Sequence, residues 1–185
     1  MLHVIHFAGP INPGTASQLQ NATLGAVSQG ATSLRYHVST DGGSTMYGFS
    51  LYNLIRSLPV PVTMHNLGSI ESMGNILFLA ADRRIAAPHS RFLLHPLNWG
   101  FSGGNVDHAR LAEHAACLDN DFDRYVEIFQ ERTQGASEPL DIRSCLKNTA
   151  RVLSPTDAAA SGLIHAVEAP TLPGPSGAVS WWVTL

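Results

Sequence analysis

The stretch from Leu67 to Leu97, LGSIESMGNILFLAADRRIAAPHSRFLLHPL, constrains this chain more than any other. Its centre, Met73 to Ala81 (MGNILFLAA), is apolar nearly all round, which predicts a helix buried in the core. The preceding run, Val60 to Leu67, is rich in β-formers and bounded by Pro59 and Gly68, and predicts a strand that gives way to a tight turn. After the helix, Arg83 to Ala87 reads as a short strand. The run Arg91 to His95 reads as another, with His95 at its end and Pro96 ending its ladder.

Ser72 falls at the start of the buried helix, where the first backbone N–H groups have no intrahelical partner and the helix dipole is positive. Two readings stand side by side. Ser72 is an ordinary N-cap, or it is a nucleophile whose developing oxyanion is held by the N–H of Met73. His95 follows 23 positions later at the end of its strand, as a buried structural residue or as the base for Ser72. Upstream, His37 to Thr45 (HVSTDGGST) predicts a strand running into a glycine turn, followed by a helix over Met46 to Leu58. Paired glycines there let backbone N–H groups approach a ligand, or simply turn the chain.

These pieces occur together and in order, and together they resemble the proteolytic subunit of the Clp protease, ClpP, within the ClpP/crotonase superfamily. Ser39-Thr40-Asp41-Gly42-Gly43 is similar to the family's Ser-Pro-Gly-Gly turn. Gly68-Ser69-Ile70-Glu71-Ser72-Met73-Gly74 is similar to its nucleophile motif, and Ser90-Arg91-Phe92-Leu93-Leu94-His95-Pro96 to its histidine motif, without the Gln. Leu153 to His165 resembles the family's C-terminal motif, and Ile5 to Ile11 its first core strand and Gly-Pro-Ile turn. The resemblance covers residues 3 to 168 and implies an α/β fold of repeated ββα units, with a mainly parallel sheet, covering helices and a handle helix.

The resemblance also implies a serine endopeptidase with Ser72 as nucleophile and His95 as base. The N–H groups of Gly43 and Met73 would form the oxyanion hole. Gly100, Phe101, Ser102 and Gly103 would belong to a glycine-rich arm that aligns a peptide substrate; from composition alone the same arm is a flexible loop. The expected partners are a peptide or unfolded protein and further copies of this chain, in a ring or double ring. The family's N-terminal axial segment has no counterpart here, so the resemblance lends no support to a AAA+ ATPase partner. No metal or other cofactor is required by these residues.

Two departures bear on activity. Where the family has its catalytic aspartate, before Arg151-Val152-Leu153-Ser154, this chain has Ala150. Loss of the acid that holds the imidazole tautomer slows acyl transfer heavily without abolishing it. Asn148, or Asp141 from a rearranged loop, are the local candidates to orient His95. Glu71 stands where the family has a small residue; unpaired burial of its carboxylate is costly, so it is expected to face solvent or a cation. The main alternative is therefore a catalytically impaired pseudoenzyme or structural subunit. A crotonase-type acyl-CoA enzyme would use the same two N–H groups, and a Ser-Lys dyad would need Lys147, the only lysine.

The remaining sequence fits one ordinary globular domain. At 185 residues the chain can bury a substantial core, and a net charge of −3 excludes the basic footprint of a nucleic-acid binder. No apolar segment approaches the ~20 residues of a membrane span, and Met1 to Phe7 has no signal-peptide pattern. Cys117 and Cys145 lack metal or redox spacing and read as free thiols in a reducing compartment, so a cytoplasmic location is expected.

Helix 1 is expected over Asn12 to Gly30, a strand over Ser33 to Ser39, and a long amphipathic helix over Val106 to Thr133. That long helix should bury Ala109, Ala112, Ala116, Phe122, Val126 and Phe129, with His108 and His114 on its surface. A short helix around Ile142 to Leu146 and a last one over Pro155 to Ser161, capped by Ser154 and ended by Gly162, complete a domain over 1–168. The Pro/Gly-rich tail, 169–185, reads as irregular, with Trp181 and Trp182 docking on this subunit or on a neighbour.

Overall fold

Alternation of strand and helix along the chain predicts a parallel sheet with helical crossovers, and the architecture follows that rule. The computed structural model describes residues 1–101, 103–172, 174 and 177–183. Its first half runs β1 (Leu2–Ala8), α1 (Pro13–Ser28), β2 (Ser33–Thr40), α2 (Thr45–Arg56), β3 (Val62–Glu71), α3 (Gly74–Leu79), β4 (Arg83–Ala86) and β5 (Arg91–Leu94). The second half adds α4 (His108–Arg132), α5 (Ile142–Lys147), β6 (Arg151–Leu153), α6 (Pro155–Ala160), β7 (Ala166–Val167) and β8 (Ala178–Val183). The sheet order is β6-β5-β3-β2-β1-β8, with β4 pairing with β3 and β7. All pairings are parallel except β5 with β6.

The helix expected from the apolar run is α3, and every one of its six residues is buried. It stops at Leu79 rather than Ala81 because two arginines take the carbonyls there. Arg132 donates to Leu79 O (3.0 Å) and Ala81 O (2.9 Å), and Arg84 donates to Ala81 O (3.3 Å). Arg84 is itself buried and also donates to Arg132 O, Gly162 O and Leu163 O, so one guanidinium closes the C-terminal ends of α3, α4 and α6. Burial, then the neighbouring Arg132 and Arg56 charges, lower its pKa to about 10.

Three expectations need correction. The strand before Ser72 does not end at Gly68: β3 continues to Glu71, pairing with β4 over Thr63–Asn66 and then with β5 over Ser69–Glu71. Asn66 repairs the ladder at this change of partner, accepting from Gly68 N (3.0 Å) and donating to Arg91 O (2.8 Å).

The tail is not irregular throughout, because β8 adds to the β1 edge in parallel register. Both tryptophans dock on this chain. Trp181 donates its indole N–H to His3 Nδ1 (3.1 Å), and Trp182 stacks on His6 at 4.0 Å.

Finally, the amphipathic stripe of α4 is buried only from Phe122 onward, through Tyr125, Val126 and Phe129. Ala109, Ala112 and Ala116 lie exposed. Among the described residues, the ring contacts on their half of the helix are those of Trp99 and Phe101 with His114.

Candidate active site

The site is built where β3 meets α3. Ser72 is the only non-glycine among the described residues with a left-handed backbone, at φ 50°. An L-residue held there costs about 1–2 kcal/mol and persists only where its surroundings enforce it. The capping position of α3 belongs to Met73, and Ser72 makes no side-chain cap. Ser72 therefore occupies a strained strand-to-helix elbow, the kind of turn that lifts a nucleophile's hydroxyl out of a sheet.

The glycine turn after β2 closes on this elbow. A Cβ placed on Gly42 would lie 2.6 Å from Glu71 O, 2.7 Å from Ser72 Cβ and 3.0 Å from Met73 N. Only glycine fits that approach, and φ 83° at Gly42 favours glycine independently. Gly43 follows at φ 142° and bridges to Ile11, with Ile11 N donating to Gly42 O and Ser44 N to Ile11 O (2.9 Å). Within the described residues, neither Gly43 N–H nor Met73 N–H has an acceptor. Two free N–H groups thus belong to segments that converge on Ser72.

The elbow is held from behind. Ser72 N donates to Leu93 O in β5 (3.0 Å). Ser72 O accepts from Asn75 N (3.0 Å), Asn75 Nδ2 (3.0 Å) and the Tyr125 hydroxyl (3.1 Å). The Leu93 contact also fixes the strand that leads into His95.

His95 emerges just past β5 and is part-buried. Its Nδ1 lies 2.8 Å from Pro96 O. A carbonyl can only accept, so Nδ1 carries the proton and Nε2 is left as the acceptor, the tautomer a general base at Nε2 needs. No hydrogen bond joins His95 to Ser72 Oγ in this structure.

The candidate orienting groups sit elsewhere. Asp141 caps α5 by accepting from Ser144 N (3.1 Å), and Asn148 is exposed without a bond to His95. In the antiparallel β5–β6 register Leu94 faces Arg151 as the last pair, and His95 and Ala150 are the next residues of the two segments. Lys147 lies with its ammonium 4.5 Å from the centre of the Phe122 ring.

Glu71 has found its cation. Its carboxylate accepts from Ser69 Oγ (2.7 Å) and Arg91 Nη2 (2.7 Å). The Ser69 hydrogen bond foremost holds its carboxyl below the usual range; burial opposes it, and Arg91 and the nearby His95 add to the lowering.

The glycine-rich segment takes a different course from an arm laid on Ser72. Trp99 stacks on His114 of α4 at 4.2 Å, and the Phe101 ring meets the same imidazole edge-on at 5.5 Å. Gly100 and Gly103 are exposed, and Ser102 lies outside the described residues. A recess of about 680 Å³ between α2 and α4 is lined by Met46, Phe49, Trp99 and Arg124. A second, of about 410 Å³, is lined by His6, His37 and Trp182. Ser72 and His95 line neither.

Sequence reasoning missed Asn75, Tyr125 and the Pro96 carbonyl. Asn75 had a signal, being the one polar side chain inside an otherwise apolar run. Tyr125 reads only as another core aromatic. The described residues include no cluster of three or more His, Cys, Asp or Glu arranged to hold a metal, and no helix long and apolar enough to cross a membrane.

Comparison with known proteins bears on this arrangement. Residues 2–171 match the sequence model of the family described as Clp protease. An ATP-dependent Clp protease proteolytic subunit from Deinococcus radiodurans is 30% identical over 138 residues, which is 72% of this chain and 64% of that protein. Proteolytic subunit 1 from Mycobacterium leprae is 26% identical over 141 residues, covering 75% and 68% respectively. The match thus spans slightly less than two thirds of the Deinococcus protein. Among solved structures, a point mutant of ClpP1 from Listeria monocytogenes superposes with a TM-score of 0.75 at 18% identity, covering 91% of this chain and 92% of that one. At that identity the likeness establishes the fold.

Proposed function

The chain belongs to the Clp protease family, and from that premise we propose that it is a serine peptidase whose nucleophile is Ser72. The observation that carries this reading is the elbow itself: a left-handed serine followed by a Met73 N–H without an acceptor and approached closely by the glycine turn whose Gly43 N–H also has none. A structural serine has no need of either feature.

In the proposed reaction Ser72 Oγ attacks the peptide carbonyl while His95 Nε2 takes its proton. The tetrahedral oxyanion is held by Gly43 N–H and Met73 N–H. Collapse breaks the C–N bond, and the imidazolium returns its proton to the leaving amine. Water, deprotonated by His95, then hydrolyses the acyl-enzyme.

Pro96 O takes the place of a carboxylate at Nδ1. It fixes the same tautomer but supplies a dipole where an acid supplies a charge, so the imidazolium is less stabilised. Replacing a triad acid by its amide costs about 10⁴ in kcat because it imposes the wrong tautomer. The penalty here is smaller, because Pro96 O imposes the productive one. The result is a slow peptidase.

The substrate is an extended peptide or unfolded segment, aligned by Gly100, Phe101, Ser102 and Gly103 once that segment leaves His114 and adds to the site as a strand. Further copies of this chain form a ring, using the exposed N-terminal half of α4. Two free thiols, exposed Cys117 and buried Cys145, suit a reducing compartment such as the cytoplasm.

A second reading, a non-catalytic subunit of such a ring, is favoured by Ala150 alone. Fluorogenic peptide hydrolysis by assembled protein separates the two. The peptidase reading predicts turnover that Ser72→Ala and His95→Ala each reduce to background. Background turnover in an assembled wild type selects the non-catalytic subunit.

A further inference from the structure

Asn75 is buried without trace of exposure, and its Oδ1 has no hydrogen-bond partner. A core position in an apolar helix gains nothing from a carboxamide with an orphaned oxygen, since each such group carries a desolvation cost. What the side chain does is bridge two carbonyls through Nδ2, Ser72 O at 3.0 Å and Leu93 O at 2.9 Å. The first belongs to the elbow and the second to the strand that presents His95. Tyr125, fully buried on α4, adds a third donor to Ser72 O beside Asn75 N and Nδ2.

The geometry points to Asn75 and Tyr125 as positioning residues for the oxyanion hole. In a trans peptide the carbonyl and the following N–H point in opposite directions from one rigid plane. Three donors gathered on Ser72 O therefore fix the direction of Met73 N–H, which has no acceptor of its own. Without them the strained Ser72 conformation would be free to relax by rotating this peptide, and Met73 N–H would leave the oxyanion. The carboxamide also ties the elbow to β5, so the nucleophile and base move as one unit. Neither residue touches substrate. Each acts through the Ser72–Met73 peptide.

This inference rests on the peptidase reading, and the test separates the two. Wild type, Tyr125→Phe, Asn75→Ala and the double variant are compared in the same assembly state. Tyr125→Phe keeps the ring and removes one donor. Asn75→Ala removes the orphaned oxygen together with two donations, while Ser72 O keeps Asn75 N and Leu93 O keeps Ser72 N. The first readout is saturation kinetics of fluorophosphonate labelling. The second is the amide signal of Met73 in protein labelled with ¹⁵N-methionine.

We expect labelling to slow about 10–100-fold in each single variant, and further in the double, through the maximal rate with half-saturation unchanged. Melting temperature should move little, and the Met73 amide signal should shift or split. A labelled wild type whose variants react at its own rate overturns the clamp and leaves the nucleophile standing. An unlabelled wild type removes the peptidase reading, and the clamp is then judged on the amide alone. A Met73 signal identical in all four proteins refutes it, and a shifted or split signal supports it.

Discussion

Gly42→Ala and Gly30→Ala form a matched pair that measures how closely the glycine turn approaches Ser72. Their backbones are nearly the same, with φ 83° at Gly42 and φ 80° at Gly30. Their surroundings differ. A Cβ on Gly30 meets nothing within 4 Å, whereas one on Gly42 falls 2.6 Å from a backbone oxygen and 2.7 Å from Ser72 Cβ.

Gly30→Ala thus isolates the left-handed strain, about 1–2 kcal/mol. Gly42→Ala carries the same strain plus overpacking of roughly 1–3 kcal/mol. For a chain of this size 1 kcal/mol moves the midpoint by about 2–4 °C, so Gly42→Ala should melt about 2–12 °C below Gly30→Ala at equal protein concentration. The clash pushes on the Ser72–Met73 peptide, and a shift of about 1 Å there costs on the order of 10² in rate. Differential scanning calorimetry and fluorophosphonate labelling of both variants are the assays. Gly30→Ala should label like wild type. Equal melting and equal labelling in the two variants would refute the close approach and, with it, the placement of Gly43 at the oxyanion.

Further outcomes follow from the same structure. Ala150→Asp places a carboxylate on the segment paired with that of His95 and should raise peptide turnover at least tenfold, towards the ~10⁴ ceiling of a restored acid; unchanged kcat would mean that His95 does not turn towards β6. Arg84→Ala strips hydrogen bonds from four carbonyls at three helix ends and should cost about 1–3 kcal/mol for each one left buried without a partner, read in urea unfolding; a total loss under about 1 kcal/mol would contradict this. Burial above all, then His6, His65 and Arg35, lower His37 to about 4, and burial lowers His3, His6, His65 and His165 as well. The unfolded chain then binds more protons than the folded one between pH 4 and 6.5. Stability is therefore full above about pH 6.5 and falls as the pH drops towards 4. His37→Phe should flatten that fall in urea midpoints measured at pH 7 and pH 5, and an equally steep fall would remove His37 as a cause.

Elements with a strong local pattern were legible in the sequence. The apolar run over Met73 to Ala81 announced α3. Asn12 and Ser154, each with a proline just after it, announced the starts of α1 and α6, and both form capping boxes. What the sequence hid depends on distant partners. Gly68 looks like a strand end because nothing local reveals Asn66 bridging the change from β4 to β5. The strand β8 follows a Pro/Gly-rich run and becomes a strand only by docking on β1, where His3 and His6 receive the tryptophans. Ala109 and Ala112 match the helical period as well as Phe122 does, yet α4 outruns the body of this chain before reaching them. At the candidate site, the glycine turn after β2 and the break between β3 and α3 at Ser72 were readable from their motifs. The clamp on Ser72 O was not, since Tyr125 reaches it from 53 positions away.

The most direct test is fluorophosphonate labelling of the assembled wild-type protein, with the adduct mapped by mass spectrometry beside a Ser72→Ala control. The account predicts slow, stoichiometric phosphonylation on the peptide containing Ser72, absent from the control. An assembled protein that stays unmodified, or one labelled equally well after Ser72→Ala, would contradict it.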